Sequence, residues 1–364
     1  MTLAVEITKR LGPAFSLEVG LSAPPGITML FGASGSGKTT LLRCLAGLTK
    51  PDAGRIAIGD RVLFDSKTHA DIAVQDRHVG YVFQQAALFP HMSVRENIGY
   101  GLHRVTPDER QRRVSAIAQS FRISEILDRR PAQVSGGERQ RAALARALVT
   151  EPSMLLLDEP LSALDHAIQS RIMDDLRRVN EARRIPMIYV THSHREVYTL
   201  GERAIVIDEG RVIASGTPHE VLDHPERGVV ANLAGFENVF DATVVERHER
   251  AGSMQCRVDG SDTELEVPLN QAAAGQRIRI AIRAGDILVA NEEPRGLSAR
   301  NVLRGRLSDL TAHGPTMVAV VEAGARFIVH LTPGGVASLN LRPGDELWLI
   351  VKTYSCRIVT DATG

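Results

Sequence analysis

The sequence has no excess of either charge, no cysteine pair and no long hydrophobic run. Lys plus Arg and Asp plus Glu both number 43. Net charge therefore argues for no partner, no stretch is basic enough for a nucleic-acid tail, and no nucleic-acid partner is expected. The three cysteines, Cys44, Cys256 and Cys356, lie far apart with no CxxC spacing. That speaks against a zinc site or a disulfide framework and fits a reducing, cytosolic compartment. No apolar run reaches the roughly 18 residues of a membrane span. The opening "MTLAVEITKRLG" lacks the apolar core of a signal peptide. If the chain works at a membrane, another subunit is expected to bring it there.

What is present is an ordinary globular balance, 43% apolar and 24% charged over 364 residues, enough for two or more domains. Residues 1–30 read as short strands with turns. "GITMLFG" (Gly26–Gly32) is an apolar run ending in a glycine-rich loop, and "KTTLLRCLAGL" follows with a helical pattern stopped by Gly47 and Pro51. Residues 106–150 read as polar helix. "SMLLLDEP" and "IPMIYVTHS" are buried strands by length and content, with helical text at about 162–183 between them. The alternation predicts a parallel sheet with helices on both faces. Beyond Phe236 the text reads as short strands only. "GQRIRIAIRAGDILVA" (Gly275–Ala290) resembles "GDELWLIVKTYSCRIV" (Gly344–Val359), and each is preceded by "NV", at Asn238 and Asn301. Two similar all-β lobes are expected.

"GASGSGKT" (Gly32–Thr39) matches the phosphate-binding loop GxxxxGK[ST], with a strand before it and a helix after. Gly32, Gly35 and Gly37 let the backbone curl so that its N–H groups face a phosphate, and Ala33, Ser34, Ser36 and Thr40 complete the cradle. Lys38 is expected to reach the β and γ phosphates of a nucleotide and Thr39 to ligate Mg²⁺. "MLLLDE" (Met154–Glu159) buries a strand and puts two carboxylates at its end. Asp158 is the candidate magnesium holder and Glu159 the candidate base for the attacking water.

"VSGGERQRAALARAL" (Val134–Leu148) offers a second anion site, a Ser-Gly-Gly turn opening an amphipathic helix. Here the chain resembles the ATP-binding cassette (ABC) ATPases, the motor subunits of ABC transporters, whose signature is LSGGQ. Val134 replaces Leu and Glu138 replaces Gln, while Ser135, Gly136 and Gly137 remain. The resemblance implies an α/β P-loop NTPase domain over residues 1–230. It implies a homodimer in which Ser135, Gly136 and Gly137 of one copy close over the γ-phosphate held by the other. It also implies that Gln84 in "YVFQQ" touches Mg²⁺ or the lytic water, that Asp165 in "SALD" crosses the dimer interface, and that His192 contacts the γ-phosphate. The catalytic set is thus Lys38, Gln84, Glu159 and His192. Family members stack adenine on an aromatic upstream of the P-loop. Here "TKRLGPAFSLEV" places Lys9, Arg10 or Leu11 there, with Phe15 nearby and open to a core role.

"AALFPHMSVRENIGYGL" resembles the importer segment that docks a membrane subunit, with Leu88, Phe89, Pro90 and His91 lining the groove. Core packing of Leu88 and Phe89 is the other reading. In the tail, "SARNVLRGRL" (Ser298–Leu307) resembles the opening of the small molybdate-binding (Mop/TOBE) domain, and "LTPGGVASLNLRPGDELWLIVKTYS" resembles its close. An all-β, OB-like regulatory domain is expected over 236–364, with lobes at 236–290 and 294–362. The layout resembles the ATPase subunit of a molybdate importer. Ser298, Arg300, Lys352 and Thr353 are then the candidate contacts for a regulatory oxyanion, molybdate or tungstate. A purely structural tail stays open, as do sulfate, ferric iron and sugars as cargo. The resemblance further implies two separate transmembrane permease subunits, a periplasmic or extracellular substrate-binding protein, and a peripheral place on the cytoplasmic face of the cell inner membrane.

Overall fold

The computed structural model describes residues 1–359, apart from 14, 163, 223–229, 232–234, 314 and 315. The chain divides into two compact units, Met1–Val221 and Leu222–Gly364.

The first unit is built on one 11-stranded sheet. One half of it, ending at the sheet edge, contains β3 (Gly26–Phe31), β7 (Val79–Val82), β8 (Met154–Asp158), β9 (Pro186–Val190) and β10 (Arg203–Asp208). These five run parallel in the order β10-β3-β9-β8-β7. β3, β8 and β9 are buried at every position, as their apolar runs predict. The expected all-parallel sheet is corrected at one side. There β1 (Leu3–Arg10), β2 (Ser16–Ala23), β4 (Ala53–Ile58), β5 (Arg61–Asp65) and β6 (Ala70–Asp71) pair as antiparallel ribbons. β11 (Arg211–Gly216) joins the two regions, antiparallel to β10 and parallel to β2. Short turns link most of these strands, and short connections dictate antiparallel pairing. The strands β1 and β2 alternate buried and exposed positions, as a half-covered sheet requires.

Five helices matter to the site: α1 (Lys38–Ala46), α2 (Val94–Ile98), α3 (Pro107–Ser120), α4 (Gly136–Leu148) and α5 (His166–Arg183), followed by α6 (His194–Leu200). The text read as continuous helix over 106–150 is broken into α3, two 3₁₀ turns and α4. Arg77, 1% exposed, fixes the far end of α1. Its guanidinium donates to the carbonyls of Cys44 and Leu45 in the last turn at 2.9 and 3.0 Å, adding to the bond that Cys44 O accepts from Gly47 N at 3.1 Å.

The second unit holds two five-stranded sheets over one shared core. The first comprises β12 (Asn238–His248), β13 (Ser253–Val258), β14 (Glu264–Pro268) and β15 (Arg277–Ile282). The second comprises β16 (Leu288–Ala290), β17 (Asn301–His313), β18 (Thr316–Ala323), β19 (Ala325–Leu331) and β20 (Glu346–Val351). The last strand, β21 (Arg357–Val359), returns to the first sheet and pairs with β15, just as β16 pairs with β20 in the second. Each repeat thus lends its final strand to the other. A bulge falls at the same repeat position in both long strands, at Val244/Glu246 and Leu307/Asp309. Two buried asparagines also match. Asn238 accepts from Ile328 N at 2.6 Å and donates to Ile328 O at 2.8 Å. Asn301 accepts from Glu266 N at 2.6 Å and donates to Glu266 O at 2.9 Å. Each clamps a strand of the opposite sheet. The reading of short strands only is corrected twice. β12 and β17 run 11 and 13 residues. A helix also forms over Pro333–Leu339, started by the Thr332 cap and stopped by Asn340 in the left-handed region.

Candidate functional site

The P-loop follows β3 and enters α1 through glycines that no other residue could replace. At Gly32, φ is 155° and a Cβ would lie 2.1 Å from the carbonyl oxygen of Ile207. Gly37, φ 104°, caps α1 with a left-handed turn, where a Cβ would meet Leu17 at 2.8 Å. The loop borders a cleft of about 700 Å³ lined by Gly32, Ser34, Gly35, Gly37, Lys38, Thr39 and Thr40, together with Gln84, Glu159 and His192. Ala33 and Ser36 complete the turn through the bond from Ser36 N to Ala33 O at 3.2 Å.

Lys38 is 8% exposed and folds back on the loop. Its Nζ donates to Gly32 O at 2.9 Å and Ala33 O at 2.7 Å. Burial holds its pKa below the usual lysine value, and the charges of Glu159 and Asp158 oppose that shift. These carbonyls satisfy the ammonium without neutralising it, so an anion entering the loop would meet an unpaired cation.

The two carboxylates at the end of β8 live in different surroundings. Asp158 is 8% exposed, accepting from Thr39 Oγ1 and from Tyr81 Oη, both at 3.2 Å. Burial pushes its pKa up, the Glu159 charge adds to this, and the two hydrogen bonds resist. A desolvated carboxylate beside a threonine hydroxyl is a hard-oxygen donor set that suits Mg²⁺. Glu159 has a left-handed φ of 46°, a backbone cost of order 1–3 kcal/mol for such a residue. Its N–H donates to Val190 O at 3.0 Å, and its own carbonyl accepts from Ser162 Oγ at 3.1 Å. The strained turn aims the side chain at the cleft. There Gln84 Nε2 donates to Oε2 at 3.1 Å, and His192 Nδ1 lies 3.5 Å from Oε1. Two residues from two other strand ends, Gln84 after β7 and His192 after β9, thus converge on the Glu159 carboxylate.

Leu11 and Phe15 form the wall of the cleft upstream of the P-loop, joined by the bond from Leu11 N to Phe15 O at 2.9 Å. Phe15 also packs on the core beneath. Lys9 is occupied elsewhere, paired with Asp52 at 2.8 Å, and Arg10 N donates to the same carboxylate at 2.7 Å.

Ser135 caps α4. Its Oγ accepts from Glu138 N at 3.3 Å and donates to Glu138 Oε2 at 2.8 Å, while Ser135 N donates to Oε2 at 2.7 Å. The S-x-x-E spacing is a capping box. The backbone N–H of Ser135 draws the Glu138 pKa below the usual glutamate value. A Cβ at Gly137 would lie 2.5 Å from Ile168 Cγ2, so the glycine lets α4 approach α5. The Cβ of Gly136 would have ordinary contact, 3.4 Å from Leu164. Asp165 caps α5, accepting from Ile168 N at 2.9 Å. None of Ser135, Gly136, Gly137 or Asp165 lines the P-loop cleft of the same chain.

Beyond Gln84, Asn97 on α2 accepts from Phe89 N at 2.8 Å and donates to Phe89 O at 3.1 Å. Phe89 is half-buried against Tyr100, with ring centroids 4.6 Å apart, while Pro90 and His91 are exposed and Leu88 is half-buried. In the tail, Asn301 stands opposite Val351, so Arg300 and Lys352 follow one step past the ladder, with Thr353 next. Arg300, Lys352 and Ser298 are exposed, and Thr353 Oγ1 reaches Glu266 Oε1 at 3.5 Å. Sequence reasoning missed Tyr81, which reaches Asp158, and Asn97, which holds Phe89; neither has a local signal in the text, whereas the Ser135–Glu138 capping box does.

Among the described residues, no helix is long and apolar enough to cross a membrane. The family model described as ABC transporter matches residues 18–162, and that of the TOBE domain matches 297–358. A molybdenum import ATP-binding protein ModC from Rhizobium etli is 37% identical, covering 98% of this chain and 99% of the relative. The ModC of Rhizobium meliloti is 39% identical with the same coverage. An ATP-binding cassette solved as a dimer in a post-hydrolysis state with ADP and Pi is 29% identical. It superposes with a TM-score of 0.52 and spans 60% of this chain and 99% of that one. The first unit is therefore an ATP-binding P-loop NTPase of the ABC type and the second an OB-like barrel. The chain belongs to the family of ABC transporter ATP-binding subunits, in its molybdenum-import group with a C-terminal TOBE domain.

Proposed function

We propose that the chain is the ATP-hydrolysing subunit of an importer for molybdate or tungstate. It acts as a homodimer on the cytoplasmic face of the cell membrane, bound to two separate permease subunits that a periplasmic or extracellular binding protein supplies. The ATPase domain spans 1–230 and the regulatory domain 236–364, with lobes at 236–290 and 294–362. The observation that carries the reading is the likeness to molybdenum import subunits, which runs through 98% of the chain, tail included.

The residues divide the chemistry among them. Entering phosphates take Lys38 from the carbonyls of Gly32 and Ala33, while the P-loop N–H groups hold their oxygens. Thr39, Asp158 and Gln84 would hold Mg²⁺, which would supply neutralisation of phosphate charge. Glu159 accepts the proton of the attacking water at a carboxylate oxygen, and Gln84 and His192 hold that carboxylate and the water in line. In the dimer, Ser135 and the N–H groups of Gly136 and Gly137 of the second copy close over the γ-phosphate, and its Asp165 lies across the interface. ATP thereby joins two copies, and its hydrolysis releases them. An oxyanion bound by Ser298, Arg300, Lys352 and Thr353 holds the dimer apart, which makes the cargo its own inhibitor.

The test is the complete transporter in vesicles. ATP-dependent uptake of molybdate, with hydrolysis falling as internal molybdate rises, is the expected result. Uptake of sulfate, ferric iron or a sugar in place of molybdate overturns the cargo. Hydrolysis unchanged at every molybdate concentration overturns the regulatory site.

A further inference from the structure

The two tail repeats can be matched residue by residue through their strand register. Asn238 stands opposite Ile282 in one sheet and Asn301 opposite Val351 in the other. One step beyond each pair, Glu237 is matched with Arg283 and Arg300 with Lys352. Next come Ala284 and Thr353, each opening a turn that leads into the exchanged strand. The tail therefore has two equivalent corners, built from the same backbone.

Their charges differ. The Arg300 corner offers two exposed cations, Arg300 and Lys352, neither ion-paired among the described residues, and its one nearby carboxylate, Glu266, accepts from Thr353 Oγ1 at 3.5 Å. The Glu237 corner has a carboxylate in place of one cation. Glu237 Oε2 accepts the Ala284 N–H at 2.9 Å, and Oε1 lies 4.0 Å from His330 Nδ1. Arg283 sits 4.6 Å over the Phe236 ring and donates to the Leu222 carbonyl at 3.0 Å. Both groups that would receive an anion here, the N–H and the cation, are already engaged.

We infer that Glu237 is a built-in anion that fills the second of the two equivalent oxyanion corners, so each tail takes one tetrahedral oxyanion and not two. The inference rests on the oxyanion reading of the Arg300 corner. A free dianion approaching Glu237 would meet a like charge and an N–H already donated. The tethered carboxylate occupies the place without the translational entropy that a free ligand loses on binding. One corner is thereby structural and its twin responds to ligand, although the backbone of both is the same.

The test counts sites by isothermal titration of the full chain with sodium molybdate. A saturating magnesium complex of a non-hydrolysable ATP analogue keeps molybdate out of the P-loop. One molybdate per chain is expected for the native protein and two for Glu237→Ala. Glu237→Ser, which retains a small polar side chain, is a second route to the same doubling, and an unchanged melting temperature shows that a variant is folded. Adding Lys352→Ala to Glu237→Ala should return the count to one. Two sites in the native chain, or a count that neither Glu237 variant raises, overturns the inference. No site in the native chain but one in Glu237→Ala upholds the inference while removing the oxyanion reading of the Arg300 corner.

Discussion

Arg146, on the signature helix, donates from Nη1 to the carbonyl oxygen of Ala87 at 2.9 Å, and Ala87 has a left-handed φ of 46°. The same guanidinium reaches Ala86 O at 3.2 Å and lies 5.4 Å over the Phe89 ring. One side chain thus ties the loop after Gln84 to the helix that Ser135 opens. A helix rises about 1.5 Å per residue, which puts the anchor roughly 16 Å from the cap. A displacement of the loop would reach the signature through a rigid rod.

Arg146→Lys should break that tie, because a lysine cannot present two fixed donors to two carbonyls. Hydrogen bonds to charged groups are worth about 1.5–3 kcal/mol each. The expected outcome is a folded protein whose amides over 85–92 exchange at least tenfold faster by hydrogen exchange. Native protection in that segment would show that Asn97 alone holds the loop.

Glu159→Gln keeps the shape of the side chain and the bond to Gln84, but cannot take a proton. Phosphate release should fall by about 10²-fold or more, the usual weight of general-base catalysis. ATP should then hold the variant as a dimer on size exclusion, where the native protein separates as it turns over.

The Glu138 carboxylate has a pKa held below its ordinary value by the Ser135 N–H. A depressed carboxyl stabilises the fold above its unfolded pKa, and that gain is lost as pH falls through the lowered value. Glu138→Gln keeps an acceptor oxygen and loses the charge at a helix N-terminus, so it should cost about 0.3–1 kcal/mol at pH 7. The difference from native in urea unfolding should close as the pH drops through the carboxylate range. The same variant removes a negative charge from beside Ser135, so the ATP-bound dimer should tighten several-fold by light scattering.

Gly137→Ala would set a Cβ 2.5 Å from Ile168 Cγ2. Overpacking of this kind costs roughly 1–3 kcal/mol. Trimming the neighbour with Ile168→Ala should recover most of the loss in a double-mutant cycle read by thermal unfolding. Additive losses would mean that the two helices do not meet there.

The phosphate site was legible because its chemistry is local. The turns at Gly32 and Gly37 need glycine, and the cation and hydroxyl must follow at once. Asp158 and Glu159 were legible for the same reason, as two acids closing a buried strand. The partners that position them were not. Tyr81 reaches Asp158 and Arg146 reaches Ala87 across long separations in sequence, and no short pattern marks such a pair. The repeat in the tail was visible as text. Which sheet each final strand joins was not, since three residues such as Arg357–Val359 or Leu288–Ala290 carry no mark of their partner and pairing is decided by closure of the shared core. The antiparallel side of the large sheet was missed because its strands were read singly and not as ribbons joined by short turns.

The strand exchange in the tail sets an order on synthesis. β15 waits for β21, the last described strand to leave the ribosome. Until then the first sheet carries an open edge of unpaired amides, the kind of surface that invites other chains. A chain cut short by even a dozen residues would lose a strand from the sheet it does not appear to belong to, and the damage would be felt in the repeat made first.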